Sequence, residues 1–156
     1  MQMTLQELGY KGYLGKLLEY YEVPNGMLLY ILAILLMGVL GYFLGSLNFG
    51  VIISKYKYSD DVRKHGSGNG GTTNMMRVYG KKAALFTLLG DLMKAVIAVL
   101  LGRLLSGVYG AYTAGLFCMI GHAYPCFFGF RGGKGVAVAA AVVLCTNPMV
   151  FVILLI

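Results

Sequence analysis

Long apolar runs alternate with short polar ones along the chain. Hydrophobic side chains fill Met27–Ile53, Ala83–Leu101, Val108–Phe130 and the stretch from Gly135 to Ile156, each close to the ~20 residues that cross a bilayer as helix. Between the first two lies Ser54–Lys82, too charged for hydrocarbon and too rich in glycine for one helix. It reads as a loop, with a helix resuming near Thr72 or Thr73. Ahead of these runs, Leu5, Leu8, Leu14, Leu17, Leu18 and Tyr21 recur at three- and four-residue intervals among charges. That spacing suits an interfacial amphipathic helix or a loosely ordered tail, closed by Pro24-Asn25-Gly26 as a turn. The pattern predicts an all-α, polytopic membrane bundle of four spans, with an N-terminal segment over residues 1–26 and a membrane domain over 27–156.

Composition sharpens this reading: 58% of residues are hydrophobic and 12% charged, against about 25% charged in a typical soluble domain. The charge then sets an orientation. Lys55, Lys57, Arg63, Lys64, Arg77, Lys81 and Lys82 fall between the first two runs with only Asp60 and Asp61 against them. By the positive-inside rule that loop is cytoplasmic. The connection near Arg103–Gly107 is then external, the one carrying Arg131 and Lys134 returns to the cytoplasm, and the N-terminus lies outside. The bases thus orient the chain in a membrane and call for no nucleic-acid partner. Cys118, Cys126 and Cys145 lack metal-ligand spacing and read as small buried hydrophobes, so no metal and no cofactor are expected. The first apolar run starts too late and runs too long for a cleaved leader, and is expected to be a retained span. "MVFVILLI" closes the sequence with no helix stop signal, as a chain cut within its membrane domain would.

The polar segments hold the candidate chemistry. Gly66, Gly68 and Gly71 in "HGSGNGGTTN" match G-x-G-x-x-G, but a dinucleotide fingerprint needs a strand before it, and "KYSDDVRKH" is not one. A Walker A loop at Lys134 fails on identity, with Phe128 where its first glycine should be. What remains is a backbone nest for anions. Two such loops, "HGSGNGG" and "RGGKG", stand on one face of the membrane beside Arg63, Lys64 and Arg77 and beside Arg131 and Lys134. Two anion cradles imply two phosphates, or one large anionic head. Ser46 and Asn48 interrupt the end of the first run, whereas Gly41 and Gly45 fit helix packing. Asp91 and Lys94, at i and i+3, read as a self-satisfied buried pair that orients a helix or ties a neighbouring loop. His122, in "GHAYP", reads equally as a structural residue or as part of the site.

In this order the pieces resemble the bacterial acyl-phosphate:glycerol-3-phosphate acyltransferases. The stretches that carry the resemblance are Ser46-Leu47-Asn48-Phe49-Gly50; Asp61-Val62-Arg63 and Gly66–Asn74 with Arg77 and Gly80; Asp91 and Lys94; Gly121-His122 with Pro125; and Phe130–Ala137. Asn48 replaces the family's proline and Thr72 its usual alanine, and the N-terminal segment is longer than the family carries. The family fold has about seven spans, of which four would be present.

The resemblance implies an acyl phosphate donor, glycerol 3-phosphate as acceptor, direct attack without a covalent enzyme intermediate, and a link to the enzyme that makes acyl phosphate. It further implies that Arg63 and Lys134 hold phosphates and that Ser46 hydrogen-bonds substrate. His122 would serve as a hydrogen-bond donor or pocket former rather than a general base. Gly66, Ser67, Gly68, Asn69, Thr73, Asn74 and Arg77, with Gly132, Gly133 and Gly135, would line the pocket. An anion transporter and a non-catalytic membrane partner are the alternative readings.

Overall fold

The computed structural model describes residues 5–156, all helical or irregular, with no strand among the described residues. Six helices follow in order: α1 (Leu5–Tyr20), α2 (Gly26–Ser46), α3 (Phe49–Tyr58), α4 (Thr72–Ala123), α5 (Val136–Thr146) and α6 (Pro148–Ile153). Short 3₁₀ turns stand at Val62–Lys64 and Cys126–Phe128.

A straight helix of α4's 52 residues would be ~78 Å long, more than twice a ~30 Å hydrocarbon core. It is not straight. Gly80 (φ 83°, ψ −177°) separates a short polar helix from residues 81–105, and Ser106–Gly107 (Gly107 φ 65°, ψ −147°) separates these from residues 108–123. At the second break the chain reverses: a Cβ on Gly102 would strike the carbonyl of Gly110, although eight residues of straight helix would hold them ~12 Å apart. The two arms therefore form a tight hairpin, matching the second and third apolar runs. Only a residue without Cβ tolerates both the positive φ of Gly107 and the backbone of Tyr10 pressed against it. Tyr30 donates its hydroxyl to the Ser106 carbonyl at 2.8 Å, so α1 and the start of α2 pack around this turn.

The bundle is inverted relative to a soluble core. Its centre is built from Ala95, Ala98, Val99, Ala111, Ala114 and Cys118 with Met37, Val138, Ala141 and Val142. Leu28, Leu32, Leu35, Leu36 and Phe43 of α2 point outward. Small residues inside let backbones approach where lipid removes any hydrophobic drive between helices. Gly41 and Gly45 lie directly on the carbonyls of Ala114 and Cys118, and Gly121 on that of Tyr42. This fits the packing role expected of Gly41 and Gly45.

Two apolar runs are broken where periodicity shows no break. The first is not continuous to Ile53: α2 stops at Ser46 and α3 restarts at Phe49. Asn48 causes the restart, its side-chain oxygen accepting the Val51 N–H at 3.1 Å as an N-cap. The last run breaks at Asn147, which accepts from Val150 N–H at 3.1 Å ahead of Pro148, a residue with no N–H to offer α5. α5 itself has 11 residues, ~16 Å of rise, or about half a crossing. The cysteines are free; Cys118 is buried, and Cys126 and Cys145 are only half-buried, a partial departure from their expected burial.

Candidate active site

Two loops meet at the end of the hairpin opposite Gly107. They touch through one backbone hydrogen bond, Gly70 N–H to the Gly132 carbonyl at 3.2 Å, so both lie on the same side of the bundle.

A single side chain shapes the first loop. Asn74, fully buried in the first turn of α4, donates to the carbonyls of Val62 (3.0 Å), His65 (3.0 Å) and Asn69 (2.9 Å), and accepts from Ser67 N–H at 2.9 Å. One carboxamide thus folds the glycine-rich segment around itself, and Gly66 and Gly68 supply the positive φ values the path needs (57° and 73°). The second loop uses backbone alone. Gly132 and Gly133 donate to the carbonyls of Ala123 and His122 at 3.1 and 3.2 Å, and a Cβ on either would collide with His122. These two N–H groups are therefore committed to the helix end and do not point at a ligand.

Arg63 fastens one loop to the other. Its guanidinium holds the Asp61 carboxylate at 2.9 and 2.6 Å and donates to the carbonyls of Phe128 and Arg131 at 2.6 and 2.8 Å. Four of the five N–H donors of an arginine are so engaged. Hydrogen bonds from Arg63 hold the Asp61 carboxyl down at about 2.

Both helices that follow the loops open without a side-chain cap. α4 begins after Gly71 and α5 after Gly135 (φ 75°), which leaves first-turn N–H groups for a ligand. Both openings line one cavity of about 440 Å³: Gly71, Thr72 and Thr73 from α4, and Gly135, Val136 and Ala137 from α5. Arg77 and Lys134 bring cationic side chains to the same wall, and Ser67, Asn69, Asn74, His122 and Asp91 add polar groups. Helix N-termini carry partial positive charge, so two of them with two cations form a site for anions.

Of the residues expected at a site, Lys134, His122, Ser67, Asn69, Thr73, Asn74, Arg77 and Gly135 reach this cavity. Others do not line it. Arg63 acts as the tie between loops, and Ser46 is buried at the end of α2, donating to the Tyr42 carbonyl at 2.9 Å and accepting from Cys126 N–H at 3.4 Å. Gly66, Gly68, Gly132 and Gly133 shape the loops from behind. Thr72 and Asp91 were not among the expected site residues, although helix resumption at Thr72 and a carboxylate in an apolar run both pointed to them.

Beneath the cavity Lys94 and Asp91 form the expected ion pair, Nζ to Oδ1 at 2.9 Å, with both side chains 2% exposed. The pair extends further: Nζ donates to the carbonyls of Gly45 (2.9 Å) and Leu47 (2.8 Å) and lies 2.9 Å from Nδ1 of His122. Lys94 thereby satisfies carbonyls orphaned where α2 stops.

A family model described as glycerol-3-phosphate acyltransferase matches residues 35–156. The chain belongs to the glycerol-3-phosphate acyltransferase family. It is 47% identical over 118 residues to the enzyme of that name from Exiguobacterium sibiricum, covering 76% of this chain and 57% of the relative. To the Pseudomonas aeruginosa enzyme it is 50% identical over 114 residues, covering 72% and 60%. Among solved structures it is similar to PlsY (YgiH), an integral membrane glycerol 3-phosphate acyltransferase. The glycerol 3-phosphate form has a TM-score of 0.70 at 40% identity, and the lysophosphatidic acid form 0.66 at 38%. Each comparison covers 77% of this chain and 60% of that structure. The chain thus spans a little under two thirds of the length of the relatives it matches. With this kinship and its inverted packing it is a helical membrane protein.

Proposed function

We propose that this chain provides the phosphate-binding side of an enzyme that moves a fatty acyl group from acyl phosphate to the sn-1 hydroxyl of glycerol 3-phosphate. The products are lysophosphatidic acid and inorganic phosphate, in the first step of phospholipid synthesis. The observation that carries the reading is the convergence of two uncapped helix openings, Lys134 and Arg77 on one cavity beside the bundle. Its relatives are named glycerol-3-phosphate acyltransferase, and the similar solved structures are described as glycerol 3-phosphate and lysophosphatidic acid forms.

An acyl phosphate is a mixed anhydride, so the acceptor hydroxyl can attack the carbonyl directly. A C–O bond to glycerol 3-phosphate forms, the bond to the phosphate oxygen breaks, and the hydroxyl proton leaves on a phosphate. The protein's part is to hold two anions in register and to stabilise charge as it develops. Lys134 does so as a point charge and Arg77 as a planar fork. Thr72, Thr73, Val136 and Ala137 contribute backbone N–H groups, while Ser67 and Asn69 contribute polar side chains. Arg63 and Ser46 act one step back, by fixing the loops and the end of α2. The loops face the cytoplasm of a bacterial inner membrane, the N-terminus lies outside, and α1 lies at the outer interface, packed on the tip of the hairpin. The donor comes from an enzyme that makes acyl phosphate.

Membranes from cells expressing the gene, supplied with labelled glycerol 3-phosphate, test this. Label is expected in lysophosphatidic acid with palmitoyl phosphate and not with palmitoyl-CoA. No product with the acyl phosphate overturns the proposal.

A further inference from the structure

Lys94 does more than neutralise Asp91. Its Nζ has three acceptors around it, the Gly45 carbonyl, the Leu47 carbonyl and Nδ1 of His122, all within 2.9 Å. An ammonium has three hydrogens. Two face carbonyls, which can only accept, and the third is left for the imidazole. Asp91 Oδ1 lies 2.9 Å from the same nitrogen and balances its charge; however the hydrogens are shared, an ammonium has no lone pair with which to accept, so Nδ1 at 2.9 Å faces it as an acceptor. The alternative, Nδ1–H donating to Asp91, would span 3.5 Å, too long for a good bond.

We propose that Lys94 is a positioning residue: it holds Nδ1 of His122 as an acceptor, leaves the ring hydrogen on Nε2, and so offers the cavity a neutral donor with no lone pair free for a proton.

Nε2 sits against Gly133, where any Cβ would fall on it, and His122 lines the cavity next to Lys134 and Gly135. No side chain at residue 133 stands over Nε2. The charged groups around the ring are Lys94 and Asp91 on the first hairpin arm and Lys134 and Arg77 at the cavity wall. Because Lys94 also grips Gly45 and Leu47, one side chain sets both the end of α2 and the tautomer of the ring. The consequence for the reaction rests on reading the cavity as the acyl-transfer site: His122 then donates to a substrate oxygen and cannot serve as general base.

The chain has two histidines, so ¹⁵N-histidine labelling of the whole chain in lipid nanodiscs, with His65→Gln to assign signals, reads the ring directly at neutral pH. The expected wild-type spectrum shows protonated Nε2 and unprotonated Nδ1. In Lys94→Met the His122 pattern is expected to shift to a mixture of tautomers or to a protonated ring. Protonated Nδ1 in the wild-type chain overturns the proposal, as does an unchanged pattern in Lys94→Met. If that variant does not fold, the wild-type spectrum still decides which nitrogen carries the hydrogen. The spectrum needs no substrate, so the tautomer of His122 is read whether or not the acyltransferase assay yields product.

Discussion

The loop ahead of α4 and the loop ahead of α5 deliver the same product, an uncapped helix opening at one cavity, by different means. In the first, one buried carboxamide gathers three carbonyls and one N–H. In the second, two glycines bond the end of α4 through backbone alone, and glycine is needed because any side chain would overlap His122. A loop folded around a side chain fails when an atom is removed; a loop pressed onto a helix end fails when one is added.

Substitutions can break this contrast, and the largest effect is expected where chemistry and loop coincide. Lys134→Ala keeps the backbone path yet removes the cation, and should lower acyl transfer at least ~10²-fold with little change in thermal stability in detergent. An equal fall in both would mean that Lys134 holds the loop instead. Next comes Asn74→Ala. Leaving the buried Val62 carbonyl without its bond costs ~1–3 kcal/mol, while the part-buried partners can turn to water, so the melting temperature should drop by several degrees and proteolysis should open residues 65–74.

Gly133→Ala tests the opposite mode of failure. It adds one methyl against the His122 ring, and activity should fall ~10-fold or more through misplacement while residues 65–74 stay protected from protease. Asn74→Ala should give the reverse pattern of protection, and the pair together sharpens the comparison.

The Arg63–Asp61 tie gives a smaller, pH-dependent effect. The Asp61 carboxyl sits at about 2 instead of its ordinary 3.8. A carboxyl with a depressed folded value stabilises fully above the unfolded value and loses that contribution as pH falls through the folded one. The contribution, about 2 kcal/mol, should therefore be complete above about pH 4 and fade toward pH 2. Protease sensitivity of the 61–74 segment should rise over that range in the wild-type chain and stay flatter in Asp61→Asn. Smallest is Tyr42→Phe, which removes one exposed bond to the Tyr124 carbonyl at 2.9 Å and should change stability by about 0.5–1.5 kcal/mol.

Features that one residue decides locally were readable in the sequence. Apolar run lengths gave α2 and both hairpin arms, glycine content marked both loops, and Asp91 and Lys94 announced their pairing by spacing. Breaks and ties that depend on a distant partner were not. α2 ends at Ser46 with its carbonyls on Lys94, 49 residues away at Gly45 and 47 at Leu47, and no local period reports that. The family resemblance made Arg63 a phosphate ligand; its commitment to carbonyls 65 and 68 residues on appears only in the fold. The resemblance likewise put Asn74 in the pocket lining, and the fold shows its carboxamide bonded to the loop's own backbone.

The reversal at Ser106–Gly107 bears on how such a chain enters its membrane. In the proposed orientation the tip leads across the bilayer, and Arg103 is its only charged side chain. Translocation-machinery scales put such a charge at about 2.5–3.5 kcal/mol when it passes the centre, a small barrier beside two arms of apolar helix already in contact through Gly102 and Gly110. The hairpin can be delivered as one insertion unit, which carries with it the helix end on which Gly132 and Gly133 dock.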